Sequence, residues 1–326
     1  MKRIIQLLCI AGLISSAKAQ QDSQFTQYLF NGLHINPAYA GYKNDIYVQS
    51  FYRSQWAGVS GAPKSFSIAA DGAFNDGNVG LGLLVASDQL GAQSYLTAYA
   101  NYAYRIRMND EDAQLAFGIA AGMVQLGLDG NKLQGYKPGD ELIPVGSQTN
   151  TLPDARFGVY YANNNFFAGF SATNMLARYM AKKNTENRLV PVPQPHFYLT
   201  AGAMFTLNDD MRFKPVVLLR DDTKGPSSID LNAFVLLKES LWIGGFYRSS
   251  FDLYKKDYQQ NGLSKQNAIG AILEIFASPN LRIGYSYDYA LNKLRDYNYG
   301  SHEISAGFYI NRRNSTSDRQ VRCYKF

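Results

Sequence analysis

From Asp45 to Ile310 the chain repeats one unit, a run of roughly 8–14 residues in which apolar side chains alternate with polar or small ones before a turn signal. Alternation by two puts one set of side chains on each face of a strand. In Val79–Asp88, Val79, Leu81, Leu83 and Val85 share one face, and Gly80, Gly82, Leu84, Ala86 and Asp88 share the other. In Leu96–Arg107, Leu96, Ala98, Ala100, Tyr102, Tyr104 and Ile106 oppose Thr97, Tyr99, Asn101, Ala103, Arg105 and Arg107. Leu281–Ala290 sets Leu281, Ile283, Tyr285, Tyr287 and Tyr289 against Arg282, Gly284, Ser286, Asp288 and Ala290.

The pattern predicts about fourteen strands, with cores Ile46–Gln55, Lys64–Phe74, Val79–Asp88, Tyr95–Arg107, Gln114–Leu128, Arg156–Tyr161, Phe166–Met175, Phe197–Leu207, Arg212–Arg220, Ser228–Leu237, Leu241–Arg248, Asn267–Ala277, Leu281–Leu291 and His302–Ile310. Every second connection is short and rich in hairpin residues, such as Asn75-Asp76-Gly77, Asn163-Asn164-Asn165 and Ser278-Pro279-Asn280. The others are mostly longer, including Ala57–Pro63, Asp129–Ala155, Ala177–His196 and Phe251–Gln266; Gln89–Ala92 is the short exception. Short periplasmic turns alternating with longer external loops, and an even strand count, characterise bacterial outer-membrane barrels. A wall in lipid turns apolar groups outward, and closure pairs every backbone polar group. The expected fold is therefore all-β: a transmembrane antiparallel up-and-down β-barrel with a short N-terminal helical or plug segment. Tyr102, Tyr104, Tyr287 and Tyr289, near strand ends, fit an interfacial aromatic girdle.

The ends divide the rest. Residues 1–19 read as a signal peptide: Lys2 and Arg3 precede the apolar Ile4–Ile14, and Ala17-Lys18-Ala19 fits cleavage near Ala19. Residues 20–44 form an N-terminal periplasmic or plug segment in which Phe25, Tyr28, Leu29 and Leu33 fall at helical spacing until Pro37 ends the helix. Residues 45–311 form the barrel, and 312–326 a basic periplasmic tail with Arg312, Arg313, Arg319, Arg322 and Cys323.

Composition agrees with this division. The chain has 24 Tyr, 19 Phe and 28 Gly but only 18% charged residues, and no run of about 20 apolar residues makes a membrane helix. The formal net charge of +6 falls to +3 without residues 1–19; the tail carries +4 of that, leaving the body at −1. The positive balance is thus confined to two short ends and does not point to nucleic acid. With Cys9 in the leader, Cys323 is the one remaining thiol and no internal disulfide forms.

No catalytic, cofactor or metal constellation emerges. His34, His196 and His302 are scattered, and His302-Glu303 has Ala306 where a zinc-protease helix needs a second His. Gly58-Val59-Ser60-Gly61 is no nucleophile elbow. The chain is expected not to be an enzyme and to hold no cofactor. The charges placed on inward faces, namely Asp71, Asp88, Arg105, Arg107, Arg156, Asp230, Arg248, Arg282, Asp288 and Glu303, read first as an ion-pair network filling the lumen, and second as a polar conduit.

Two segments are more specific than barrel character: Gln24–Asn31 followed by Asn36-Pro37-Ala38-Tyr39-Ala40-Gly41, and Tyr52-Arg53-Ser54-Gln55-Trp56-Ala57-Gly58 followed by Gly61-Ala62-Pro63-Lys64-Ser65. Asn36-Pro37 starts a turn, Gly41 permits a tight approach, and Arg53 and Trp56 are spaced for a cation–π pair. With Gly284–Tyr289 and Ser301–Ile304, these segments resemble the PorP/SprF family, outer-membrane proteins of the type IX secretion and gliding machinery of Bacteroidetes. The resemblance implies a role in export or surface anchoring of large adhesins or other cargo with a type B C-terminal sorting domain. It also implies contact with periplasmic, peptidoglycan-linked components and with outer-membrane lipid. A FadL-like transporter of hydrophobic small molecules and a general porin are the rival readings. Against the first, the inward faces look rich in Gly, Ser and charge rather than apolar groups.

Overall fold

The computed structural model describes residues 25–310 apart from 109–112, 134–143, 145, 185–192, 224, 255 and 257–265. The expected leader and the basic tail lie outside the described residues. Fourteen strands follow one another: β1 (Ile46–Ser54), β2 (Lys64–Phe74), β3 (Val79–Leu90), β4 (Gln93–Arg107), β5 (Gln114–Asp129), β6 (Ser147–Ala162), β7 (Phe166–Thr173), β8 (His196–Ala203, resuming after Met204 as Phe205–Asn208), β9 (Met211–Asp222), β10 (Ser227–Leu237), β11 (Leu241–Phe251), β12 (Gln266–Phe276), β13 (Leu281–Ala290) and β14 (Ser301–Ile310). Each pairs antiparallel with the next, and β14 pairs with β1 to close the cylinder.

The alternation in the chain becomes the inside and outside of this wall. Leu81, Leu83 and Val85 of β3 are exposed, while Gly80, Gly82, Leu84 and Ala86 between them are buried. The same holds on β4, where Tyr102, Tyr104 and Ile106 face out and Tyr99, Asn101, Ala103 and Arg105 face in. An apolar exterior over a filled interior is the arrangement that lipid on one side and no bulk water on the other demands. No helix among the described residues is long and apolar enough to cross a membrane; strands do the crossing.

Several boundaries differ from expectation. The segment read as a loop up to Ala155 is strand from Ser147, paired with β5 as far as Asp129↔Ser147. Pro153 masked it, since proline cannot donate to a ladder. Pairing with β7 starts only at Phe157, so Pro153 sits where β6 has a strand neighbour on one side alone. At the other end of that gap β7 stops at Thr173, because Asn174 turns left-handed (φ 56°) ahead of helix α2 (Ala177–Asn184). Asp154 anchors α2 by accepting from the Leu176 and Ala177 N–H groups at 3.0 and 2.9 Å.

The N-terminal segment is not one helix. It makes a 3₁₀ turn (Tyr28–Phe30), the single α turn α1 (Gly32–Ile35) and a second 3₁₀ turn (Pro37–Tyr39), all inside the barrel. The apolar spacing suggested one buried face, but the segment is enclosed on every side. Its backbone groups bond to the wall instead of to a continuous helical ladder, satisfying them by another route.

The wall makes room for this backbone with glycine. A Cβ on Gly118 would lie 2.1 Å from the Ala38 nitrogen, and one on Gly158 would lie 2.0 Å from Asn36 Oδ1. Gly80 meets the Ala40 carbonyl in the same way. On the lipid side, Gly245 has only the Gly270 oxygen near, at 3.4 Å. Gly118→Ala is therefore expected to destabilise the barrel by at least about 1–3 kcal/mol, the usual cost of overpacking. Gly245→Ala should stay within about 0.5 kcal/mol. The midpoint of the heat-induced shift in gel mobility for each purified variant measures the difference.

Candidate functional site

The sequence-selected residues occupy two places, the lumen and the rim on the long-loop side. In the lumen, Asn36 works as a bracket. Its Oδ1 accepts from the Ala38 N–H at 2.9 Å, which starts the Pro37 turn, and its Nδ2 donates to the Val159 and Phe170 carbonyls at 3.0 and 3.2 Å. The Asn-Pro pair thus makes the turn and fastens it to β6 and β7 together. Tyr39 stacks on Tyr42 and meets Tyr160 edge-on. The Gly41 N–H donates to Asp71 at 2.7 Å, with Gly41 left-handed (φ 72°) against the Gly72 carbonyl. Arg105 donates to the Ala40 and Gly77 carbonyls, tying the plug to the β2–β3 turn.

The other end of the plug is held by charge. The Glu303 carboxylate accepts from the backbone N–H groups of Thr26 and Gln27, both at 2.8 Å. Arg53 lies opposite Glu303 across the β1–β14 seam and pairs with it at 3.2 Å. Arg53 also pairs with Asp288 at 2.6 Å and donates to Thr26 Oγ1 at 2.8 Å, while that hydroxyl donates to Asp288. The expected Arg53–Trp56 contact is therefore not formed: strand parity turns Arg53 inward, where two carboxylates outbid an aromatic face. From Asp288 the network runs on through Arg248, 3.7 Å away, to Asp230, which also takes Arg220 at 2.8 Å.

Most of the charges read as inward do fill the lumen, and they are paired: Arg156 donates to the Ile35 carbonyl at 3.2 Å, Arg282 pairs with Glu274, and Asp88 accepts from Ser65. Arg107 is the exception; it is exposed and bonds the Asp76 carbonyl of the β2–β3 turn. Glu274 and Arg220 belong to the network but were not selected, although strand alternation places each of them inward. One expectation about the lumen needs correction. Leu218, Phe234, Leu236, Trp242, Phe246 and Ile272 on β9 to β12 also face inward, as an apolar cluster against Phe30 of the plug. These side chains are packed and buried, so they form a core and leave no ligand channel of their own.

At the rim, Gln55, Trp56, Gly58, Gly61 and Pro63 shape the β1–β2 loop. Gln55 N–H donates to the Pro63 carbonyl at 2.9 Å and closes the loop base. Ala57 exchanges hydrogen bonds with Tyr299 and Gly300 at 2.8 Å each, and Gly91 N–H donates to the Gly61 carbonyl at 2.9 Å. Three external connections are so joined into one structure. Gly58 is left-handed (φ 91°) and lies under the Tyr299 ring, where a Cβ would be 2.6 Å from it. Trp56 is also left-handed (φ 50°), its N–H held by Ser301 Oγ at 3.1 Å. Beside this loop is an open cleft of about 740 Å³ lined by Ser54, Gln55, Trp56, Lys64, Gln89 and Lys132 among others. Arg312, Arg313, Arg319, Arg322 and Cys323 lie outside the described residues. No group of His, Cys, Asp and Glu among the described residues is arranged to hold a metal ion.

The sequence model of the family described as type IX secretion system membrane protein PorP/SprF matches residues 17–308. A search of curated proteins finds no match. Solved structures of similar shape include the Acinetobacter baumannii outer membrane protein Omp33, with 9% identity and a TM-score of 0.47, covering 83% of this chain and 100% of that one. The KdgM porin has 8% identity and a TM-score of 0.38, covering 81% and 99%. A mutant of Rh. blastica porin has 8% identity and a TM-score of 0.35, covering 82% and 99%. By name the first is an outer membrane protein and the other two are porins, and none bears on what this chain does.

Glu303→Ala is expected to cost about 3–5 kcal/mol of stability, the scale of breaking a buried charge pair from one side. Glu239→Ala, which removes the exposed partner of Arg212 at 3.0 Å, should cost at most about 1 kcal/mol. Urea unfolding of the two variants in one detergent compares them directly. In planar bilayers the intact protein should show no steady open channel, and Glu303→Ala should add brief openings.

Proposed function

The chain belongs to the PorP/SprF family of type IX secretion system membrane proteins, and from that premise we propose that this outer-membrane barrel assists export or surface anchoring of cargo carrying type B C-terminal sorting domains. In this reading it acts without catalysing a reaction. Its long-loop rim meets the cargo, and its periplasmic face, including the basic tail of residues 312–326, meets the peptidoglycan-linked parts of the secretion and gliding machinery.

The observation that carries the reading is the filled lumen. Thr26 to Lys43 occupy the bore, fixed by Glu303 at one end and by Asp71 and Arg105 at the other. A barrel whose bore is packed by its own chain offers partners its two ends and its outer wall. The rim is correspondingly built: three connections are cross-bonded around Gly58 and Gly61 into a fixed surface. A diffusion pore needs neither feature, and a FadL-like carrier needs an open apolar pocket where this lumen has packed side chains.

Two measurements test the proposal. Affinity capture of the protein from solubilised envelopes is expected to recover periplasmic machinery components, with recovery falling several-fold when residues 312–326 are deleted; unchanged recovery removes the tail from the interface. Replacing Gly58 with Val should leave the barrel folded and reduce surface display of a type B sorting-domain reporter. Normal display from a strain lacking the protein altogether would refute the export role.

A further inference from the structure

Three strand residues that line the rim cleft, Ser54, Lys64 and Gln89, are on the outward face of the wall, where the lipid-facing surface changes character. Tyr52, Phe66 and Ile304 lie side by side in register on β1, β2 and β14, outward and 47%, 47% and 55% exposed. Ile68 and Val85, one row further down, continue the apolar surface. One outward step up, about 7 Å along the strands, the same columns carry Ser54, Lys64 and His302, with Gln89 beside Lys64. The surface thus passes from aromatic and aliphatic to cationic and amide-bearing within a single side-chain spacing, on the side of the long loops.

The cleft opens at that step. Among the described residues, Lys64 and Lys132 are the ionisable ones that line it, and no carboxylate does. Lys132 forms a long, half-exposed ion pair with Asp129 at 3.8 Å, and Lys64 makes no ion pair among the described residues. Trp56 lines the same cleft, and an indole at a membrane–water boundary buries its ring while its N–H stays wet. Two ammonium groups, hydroxyl and amide donors and an indole above an apolar wall match an amphiphile with an anionic head.

We propose that this cleft binds the phosphorylated headgroup of an outer-leaflet lipid, with Lys64 and Lys132 at the phosphate, Ser54 and Gln89 on the flanking hydroxyls, and the acyl chains along Tyr52, Phe66, Ile68 and Val85. An acidic segment of a secreted protein is the competing occupant. The lipid fits better because Lys64 is outward and stands directly above Phe66 in its own strand, so a bound head has its tails continuous with the lipid-facing band. The site is independent of the secretion role. It would fix the barrel's height in the leaflet and the identity of its lipid neighbours.

Native mass spectrometry of the mature protein in neutral detergent, titrated with bisphosphorylated lipid A, tests this. The expected result is one saturable lipid per barrel, with retention falling about tenfold or more in the Lys64→Gln/Lys132→Gln variant, as expected for two ammonium groups near an anionic surface. Arg212→Gln, at the opposite rim, should retain lipid like the parent. Lipid A stripped of its phosphates, and inorganic phosphate alone, should each bind far more weakly. Equal retention by the double variant, equal binding of the phosphate-free lipid, or tighter binding of a short acidic peptide than of lipid A would overturn the assignment. The heat-induced gel shift confirms that each variant is folded.

Discussion

One carboxylate holds the structure to a single arrangement. Glu303 receives two consecutive backbone N–H groups, Thr26 and Gln27, and an arginine from the neighbouring strand. In a medium without water each of those groups is costly if left alone. Together they satisfy one another, and only when the plug is in the bore and the seam between β1 and β14 is shut. The glycine-lined wall is the steric counterpart of this bond. Where Gly80 and Gly118 stand the plug backbone touches the strands, and at Gly158 the Asn36 side chain does, so the anchored segment has one place to lie.

This division of labour explains why the lumen holds both charge and grease. The half anchored by Glu303, Asp288 and Asp230 uses ion pairs to position the plug's start. The half near Trp242 and Phe234 uses close packing against Phe30. Ion pairs set direction and register but give modest net stability when buried. Apolar packing gives stability without direction. A barrel filled by its own N-terminal segment needs both, since the outer wall gains nothing from apolar contact with lipid that the unfolded chain in lipid would lack.

Much of this was legible in the chain because strand parity is a strict code. Val79, Leu81, Leu83 and Val85 could face only one way together, and the short-long rhythm of connections followed from it. Parity also places Glu303 inward, and it does the same for Arg53, although the motif spacing pointed Arg53 to Trp56 instead. It could not say which charges meet, because partners such as Thr26 and Glu303 are separated by nearly the whole chain. Pro153 concealed the upper part of β6, since tolerance of proline depends on whether a second strand lies alongside, which is a tertiary fact. The N-terminal spacing suggested a helix because periodicity reports one buried face and cannot register enclosure on all faces. The rim cleft was hidden for a similar reason: Lys64 was visible within a motif, but Gln89 joins it through the β2–β3 register and Lys132 only through the three-dimensional arrangement of the rim.

The Arg53–Glu303 pair straddles the one joint in the wall made by strands from opposite ends of the chain. Sliding that joint by a single residue would turn one of the two charges out of the lumen and would leave Thr26 and Gln27 without their acceptor. Zippering of the final hairpin is therefore checked by the segment that precedes the first strand. A polypeptide that lost its last strand would lose the carboxylate that clasps its own beginning, and would present the envelope's proteases with an unclosed edge rather than a finished cylinder.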